Sequence, residues 1–140
     1  MTIPPTIDRW HRIALERRGD EVGALLAEGC VFESPVVHTP QVGREIVENY
    51  LRGALEVLNT EHFRYGDEWF SEKEAGRGSA VLEFFSEIEG IRINGVDIIQ
   101  WDAAGLITHF KVMVRPLKAI NILHQKMGAY LMAGGTRKAP

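Results

Sequence analysis

The fold is decided by the stretch Gly95-Val-Asp-Ile-Ile-Gln-Trp-Asp-Ala-Ala-Gly-Leu-Ile-Thr-His-Phe-Lys-Val-Met-Val-Arg-Pro116. Its two arms are rich in valine, isoleucine, tryptophan and phenylalanine and flank Asp102-Ala-Ala-Gly105, which predicts two long strands joined by a turn. Asp97 interrupts the apolar pattern of the first arm. An ionised carboxylate is expensive to bury there without partners, so Asp97 either faces water or lies in a polar part of a pocket. Most of the functional question depends on which of these positions it takes.

Two segments before this hairpin also alternate between apolar and polar residues with a period of two. Phe63–Ser71 and Ala80–Glu89 are each predicted to be a strand. The turn after the second strand has two candidates. Asn94-Gly95 is the stronger generic hairpin signal, whereas Glu89-Gly90 leaves longer paired strands with Gly95 as a bulge or bend. We predict the turn at Glu89-Gly90.

The remaining segments are mostly helical, because their apolar residues recur at three- and four-residue spacing. In chain order we predict a helix over 6–18, a short helix over about 20–28, a strand over Cys30–Ser34, a loop over Pro35–Gly43, a helix over 43–58 and a last helix over Leu117–Met132. Helices segregated against a mostly antiparallel sheet make an α+β domain. A strongly bent sheet around a long helix leaves a concave space, and concave apolar spaces hold ligands.

The composition is that of an ordinary globular protein, with 45% hydrophobic and 25% charged residues among 140. This length predicts a single domain over residues 1–140, with an ordered core over about 6–132 and a disordered tail over Gly134–Pro140. The lone Cys30 excludes an internal disulfide and is expected to be a buried thiol.

Charge and hydropathy argue against several classes of partner. The formal net charge of −3 disfavours nucleic acid, which needs a clustered basic face. The N-terminus lacks the basic and apolar regions of a signal peptide, and no apolar run approaches the ~18 residues of a membrane span. We therefore expect a cytoplasmic protein without membrane contact. Glycine-rich phosphate loops and zinc-type spacings of histidine or carboxylate residues do not occur, which predicts neither a cofactor nor a metal.

Four segments, in their order and spacing, resemble the nuclear-transport-factor-2-like superfamily in its polyketide-cyclase-like (SnoaL-like) and ketosteroid-isomerase-like branch. They are Ala14-Leu-Glu-Arg-Arg-Gly-Asp20, Val31-Phe-Glu-Ser-Pro35, Gly43-Arg-Glu-Ile-Val-Glu-Asn-Tyr50 and Val96-Asp-Ile-Ile-Gln-Trp-Asp-Ala-Ala-Gly-Leu-Ile107. The resemblance implies a cone: a strongly curved, mostly antiparallel sheet packed against three helices of the N-terminal half, plus a C-terminal helix. It also implies an internal pocket and a homodimer formed through the outer face of the sheet.

The isomerases of that family abstract a proton next to a carbonyl, using one carboxylate as base and a tyrosine and a protonated aspartate as hydrogen-bond donors. The resemblance places the donor aspartate on Asp97. It places the base on Ser34, whose hydroxyl cannot serve as a carboxylate base at neutral pH. The tyrosine position falls on His11 or on Arg12, depending on which neighbouring residues anchor the alignment.

Three residues are the candidates for catalysis: Asp97 as acid or oxyanion donor, His11 as its proton partner, and Ser34 as a group that orients the substrate. A histidine facing a carboxylate would be the only plausible proton-transfer pair at neutral pH. The alternatives are a structural carboxylate at Asp97 and a half-exposed helix histidine at His11. If Phe110 faces the pocket, alternation turns His109 outward, toward a surface suited to a dimer interface.

Aromatic residues and one loop histidine are the candidates for ligand contact, since a pocket in this fold would be lined by large apolar side chains. They are Trp10, His38, Tyr50, Tyr65, Trp69, Phe84, Trp101 and Phe110. The pattern predicts a pocket for a small, largely apolar molecule. The protein would then be a general acid/base isomerase, cyclase or dehydratase, or alternatively a non-catalytic ligand-binding or dimerisation module of the same fold. The enzyme hypothesis requires Asp97 and His11 to face one cavity within hydrogen-bond reach.

Overall fold

The computed structural model of the protein describes residues 2–134. Its helices and strands are α1 Pro5–Leu15, β1 Leu26–Glu33, β2 Gln41–Val42, α2 Arg44–Leu58, β3 Arg64–Glu72, β4 Gly78–Ile88, β5 Ile91–Trp101, β6 Ile107–Arg115 and α3 Leu117–Met132. The strands form one sheet in the order β2-β1-β6-β5-β4-β3. Neighbouring strands are antiparallel except β1 and β6, which are parallel. The predicted α+β class is confirmed.

The hairpin of β5 and β6 forms at the predicted turn. One carboxylate oxygen of Asp102 accepts the backbone N–H groups of Ala104 and Leu106, each at 3.0 Å. Gly105 closes the turn with a φ of 82°, a conformation that residues with a Cβ adopt only under strain. The side chain of Asp102 and the glycine therefore fix where the two arms reverse direction.

The turn between β4 and β5 lies at Glu89-Gly90, as predicted, with φ values of 51° and 80°. Gly95 lies inside β5 instead of in a turn. A Cβ added at Gly95 would lie 2.5 Å from the Phe84 ring and 2.5 Å from the carbonyl oxygen of Met113. Gly95 is thus required by the close approach of a ring and a neighbouring strand.

The predicted helix over 20–28 is wrong. The chain there makes two short 3-10 turns, Gly19–Glu21 and Gly23–Leu25, and enters β1 at Leu26. The same apolar residues are buried, because Val22, Leu25 and Leu26 all face the core. A nine-residue window with three apolar positions fits a tight turn followed by a strand as well as it fits a helix.

The predicted loop over 35–43 is wrong at two residues. Gln41 and Val42 form the short strand β2, which pairs with Val31 and Phe32 of β1. The helices α1, α2 and α3 and the sheet then enclose a core of apolar side chains, to which α2 contributes Val47 and Leu51.

The last helix lies across α2. Gly53 of α2 allows the close approach, because an added Cβ would lie 2.8 Å from the Tyr130 ring of α3. Cys30 is buried, as predicted. No helix within residues 2–134 is long and apolar enough to cross a membrane. The prediction of a disordered tail over Gly134–Pro140 falls, apart from Gly134, on residues that lie outside the described part of the chain.

Candidate functional site

Asp97 is buried, with 6% of its surface exposed. It lies in the middle of β5, opposite Leu82 of β4 and Val112 of β6. Its carboxylate oxygen Oδ2 accepts a hydrogen bond of 2.7 Å from the hydroxyl of Tyr65. The aspartate that breaks the apolar pattern of the hairpin therefore faces the interior and has a partner there.

Tyr65 links Asp97 to the first helix. Its hydroxyl accepts a hydrogen bond of 2.8 Å from Nε1–H of Trp10 while donating to Asp97. The indole, the phenol and the carboxyl group thus form a directed chain from α1 through β3 to β5. Buried polar groups bonded in series polarise one another, so each bond supports the next.

Burial raises the pKa of Asp97 to about 7, although the hydrogen bond from Tyr65 acts in the opposite direction. Burial also raises the pKa of Tyr65 well above its ordinary value, and the neighbouring Asp97 charge adds to that effect. At neutral pH, Asp97 therefore exchanges between its neutral and ionised forms while Tyr65 keeps its proton. A carboxylic acid with a pKa near the working pH is suited to proton transfer.

Asp97 lines a narrow inner cavity. The cavity has a volume of about 30 Å³, enough for about two water molecules. Its walls are apolar except for a few groups, and the lining side chains are Trp10, Leu51, Ala54, Leu55, Leu58, Asn59, Phe63, Tyr65, Phe84, Asp97, Phe110 and Val112. Four of the predicted ligand-contacting aromatic residues meet here, namely Trp10, Tyr65, Phe84 and Phe110.

A larger outer cavity of about 170 Å³ lies beside the inner one. The two share Ala54, Leu58 and Val112 as walls, so a single layer of side chains divides them. Ser34 and Tyr50 line the outer cavity. Its far wall comes from the last helix, through Leu123, His124, Met127, Gly128 and Leu131.

A bulge in β3 decides which of its side chains face inward. Tyr65 pairs with Phe84 of β4, and Glu68 pairs with Leu82, so three steps along β3 match two steps along β4. The extra residue puts Tyr65 and Glu68 on the same inner face. Trp69 consequently faces outward and is 56% exposed. The prediction that Trp69 contacts the ligand together with Tyr65 is wrong for this reason.

His11 bonds to Glu68 instead of Asp97. Its Nε2 lies 2.6 Å from a carboxylate oxygen of Glu68, and the two side chains are 17% and 15% exposed. The predicted hydrogen bond between His11 and Asp97 is therefore wrong, and the enzyme hypothesis fails in the form that required this pair. Tyr65 takes the place of His11 as the partner of Asp97. Of the two alternatives for this helix position, Arg12 points to the surface, where it pairs with Asp8.

Ser34 lines the outer cavity, and its Oγ accepts the backbone N–H of Val36 at 3.1 Å. Asp97 and Ser34 thus belong to different cavities. The predicted role of Ser34 in orienting a substrate stays a prediction. His38 is exposed in its loop and lines neither cavity.

Trp101 is buried but packs on Gly78, where an added Cβ would meet its ring, and it lines neither cavity. The alternation around Phe110 is as expected: Phe110 is buried and His109 is exposed.

Sequence reasoning missed Glu68, because simple alternation from Tyr65 turns it outward. It also missed the far wall formed by the last helix. Within residues 2–134 there is no cluster of three or more side chains suited to a metal ion.

Comparison with known proteins places this geometry in a family. A steroid delta-isomerase from Pseudomonas aeruginosa is 34% identical, with a TM-score of 0.82 over 91% of this chain and 90% of that protein. An uncharacterised bacterial protein with a cystatin-like fold from Silicibacter pomeroyi is 31% identical, with a TM-score of 0.83 over 93% of this chain and 87% of that one.

An NTF2-like protein of unknown function from Mesorhizobium loti shares the fold at 16% identity, with a TM-score of 0.58 over 79% of this chain and 88% of the other. Neither a scan against protein-family models nor a search of curated proteins gives a significant match. The similarity to the Pseudomonas and Silicibacter proteins, over nearly their whole length, confirms the resemblance derived from the sequence. The chain belongs to the nuclear-transport-factor-2-like superfamily, in its ketosteroid-isomerase-like branch.

Proposed function

We propose that the protein is an acid/base catalyst that binds a largely apolar molecule with a carbonyl group next to Asp97. The observation that carries the proposal is the Tyr65–Asp97 hydrogen bond at the end of an apolar cavity. A buried carboxyl group in an otherwise apolar space is expensive to keep, and such groups cluster at functional sites. The steroid delta-isomerase activity of the Pseudomonas relative supports a carbonyl-bearing substrate.

The reaction class follows from the two forms of Asp97. In its neutral form, Asp97 can donate a hydrogen bond to the carbonyl oxygen and stabilise negative charge there, but among residues 2–134 no other carboxylate then lines the inner cavity to take the proton of the adjacent C–H bond. In its ionised form it can accept that proton. With Ser34 at the expected position of the base, Asp97 is the one buried carboxyl group among residues 2–134. An isomerase, cyclase or dehydratase reaction would therefore depend on Asp97.

The size of the cavities limits the shape of the substrate. The inner cavity of about 30 Å³ holds water but no organic molecule. A ligand with its carbonyl at Asp97 must also occupy the outer cavity and pass between Ala54, Leu58 and Val112. We therefore propose an elongated ligand whose apolar end rests against the last helix. Small shifts of the three dividing side chains would join the two spaces.

The proposal is tested with a panel of apolar β,γ-unsaturated ketones of increasing length. Their isomerisation to conjugated ketones is followed by ultraviolet absorbance, and their binding by a concentration-dependent rise in melting temperature. Turnover that is abolished by Asp97→Asn supports the proposal. Equal turnover by the wild type and the Asp97→Asn variant would exclude a role for the carboxyl group.

A non-catalytic ligand-binding module is the second candidate, favoured by the serine at the position of the base. It predicts that ligands of the same shape raise the melting temperature without being converted. The ketone panel separates the two candidates, because both predict ligand binding in the cavity and only the enzyme predicts conversion of the ligand.

We also propose that the protein forms a homodimer through the outer face of its sheet. This face carries exposed apolar side chains, with Trp69 at 56% and Met113 at 55% exposure. Light scattering of the wild type and of Met113→Glu tests for this dimer, because a charge at such an interface should yield monomers. Ile3→Glu, away from the sheet, is the control that should leave the dimer intact. The cytoplasmic location expected from the sequence remains a prediction.

A further inference from the structure

Two consecutive residues of α1 each bond to β3. Trp10 donates to the Tyr65 hydroxyl at 2.8 Å, and His11 lies 2.6 Å from the Glu68 carboxylate. Only the first of these bonds belongs to the chain that ends at Asp97. The second lies outside the cavity lining, behind Tyr65, where the His11 and Tyr65 rings are 5.4 Å apart between centroids.

The bulge of β3 makes this pair of bonds possible. In a regular strand, residues three apart face opposite sides of the sheet. Because three steps of β3 match two of β4 between Tyr65 and Glu68, both side chains point toward α1. Successive helix residues can then meet two groups on the same inner face of one strand.

β3 needs such a fixation more than the other long strands do. It lies at the edge of the sheet and pairs with β4 alone. Most of its residues are exposed. Edge strands with few buried contacts open more readily than central ones, so the position of the Tyr65 hydroxyl depends on what ties β3 to the rest of the molecule.

We propose that Glu68, through its bond to His11, is a positioning residue that holds Trp10, Tyr65 and Asp97 in register for catalysis. This role rests on the proposed function of Asp97, but the geometry it describes exists in the free protein. A largely buried, hydrogen-bonded pair between a helix and an edge strand fixes the rotation of the helix, and the indole of Trp10 is then held against the Tyr65 hydroxyl. Neither Glu68 nor His11 contacts the cavity, so neither is a catalytic residue.

Glu68 also acts on Tyr65 through its charge. The carboxylate of Glu68 contributes to the raised pKa of Tyr65, after burial and the nearby Asp97. Glu68 therefore favours the protonated phenol that donates to Asp97. Position and charge act in the same direction, and two substitutions separate them: Glu68→Ala removes both, whereas Glu68→Gln removes the charge and keeps an amide that can bond to His11.

The experiment uses the indole N–H signal of Trp10 in a ¹H–¹⁵N spectrum of the free protein, assigned with Trp10→Phe. We expect Glu68→Ala to shift or broaden this signal. With a substrate that is turned over, we expect kcat to fall by as much as about 100-fold with little change in KM, because a misplacement of about 1 Å can cost that much in rate. Glu68→Gln should restore the signal and most of kcat.

The matched control is Glu72→Ala, which removes the same side chain from an exposed position of the same strand. It should leave the Trp10 signal and kcat unchanged. If Glu68→Ala does not fold, His11→Ala breaks the same bond from the helix side and must produce the same shift. Where both fold, the double variant should do no more than either single one, because the two residues act as one pair.

An unchanged Trp10 signal in Glu68→Ala overturns the proposal, as do additive effects of the two single variants. The outcome is independent of whether a substrate is found, because the spectrum is recorded without one. A shifted signal together with absent turnover would leave the positioning role intact and refute only the catalytic function.

Discussion

The hydroxyl of Tyr65 donates to Oδ2 of Asp97 over 2.7 Å. This bond joins the edge strand of the sheet to its centre and gives a buried carboxyl group its partner. It also limits how far burial raises the pKa of Asp97, since a donor to the carboxylate favours the ionised form. Much of the chemistry proposed for this protein depends on that balance.

The first prediction concerns stability and pH. The pKa of Asp97 is about 7 in the folded protein against 3.8 for the ordinary group, so the folded state favours the protonated form. The resulting stabilisation of the folded state is fully present below pH 3.8 and is lost as the pH rises to about 7. Its loss lowers the free energy of unfolding by about 4 kcal/mol. We expect the free energy of unfolding of Asp97→Asn, relative to that of the wild type, to increase by this amount between pH 4 and pH 8. Urea unfolding measures it.

Other carboxylates titrate in both proteins, so the difference between the two unfolding curves isolates Asp97. Asp20→Asn, at an exposed position, should follow the wild type at every pH. If the free energies of unfolding of Asp97→Asn and the wild type changed in parallel with pH, the carboxyl group of Asp97 would not be buried in solution.

The second prediction concerns Tyr65→Phe. Removing the hydroxyl takes away the hydrogen bond that lowers the pKa of Asp97, so we expect this pKa to rise above about 7. Titration of the Asp97 carboxyl carbon by NMR measures it. The indole of Trp10 also loses its acceptor, which should cost about 1–3 kcal/mol of stability. Tyr50→Phe, in the outer cavity, is the control that should change neither the Asp97 pKa nor the stability. A fall in the Asp97 pKa in Tyr65→Phe would contradict the assignment of the Tyr65–Asp97 hydrogen bond.

The third prediction concerns the wall between the two cavities. A phenyl group at position 54 would fill the passage from the outer cavity to Asp97. We expect Ala54→Phe to weaken binding of an elongated ligand at least about tenfold, which corresponds to about 1.4 kcal/mol. The ligand-dependent melting shift measures this. Ala129→Phe, on an exposed part of the last helix, should bind as the wild type does, and undiminished binding by Ala54→Phe would place the ligand outside the inner cavity.

The fourth prediction concerns the packing beneath the site. An alanine Cβ at position 95 would come within 2.5 Å of both the Phe84 ring and the carbonyl oxygen of Met113. We expect Gly95→Ala to lower stability by about 1–3 kcal/mol through overpacking. Gly29→Ala is the matched control, because an added Cβ there has no neighbour within 4 Å. Equal melting temperatures for the two variants would show that the strands separate readily at this point.

Much of the fold could be predicted because it depends on local patterns. The alternation in β4, β5 and β6 and the turn residues at Glu89-Gly90 and Asp102–Gly105 are signals contained in short windows, and they set the meander. The isolation of Asp97 among apolar residues likewise singled it out, but it left open whether the carboxylate faces water or a pocket.

The parts that could not be predicted depend on contacts between distant segments. The bulge in β3 is defined by its pairing with β4, and the residues around Tyr65 do not indicate that the strand contains an extra residue. The partner of His11 is 57 positions away in sequence and faces it only because of that bulge. The far wall of the outer cavity likewise required knowing that the last helix folds back over α2.

The bulge in β3 has a consequence for how such a site could change over evolution. A substitution alters one side chain, whereas loss of Gly66 or Asp67 would remove the bulge, restore regular alternation and leave Tyr65 and Glu68 on the same inner face. Regular alternation of the present sequence, without the bulge, would instead turn the carboxylate beside His11 to the solvent and bring the indole of Trp69 into the interior. The bulge therefore lets this edge strand hold one extra residue without exchanging an acid for an aromatic surface, and relatives that are one residue shorter there can keep the same inner side chains.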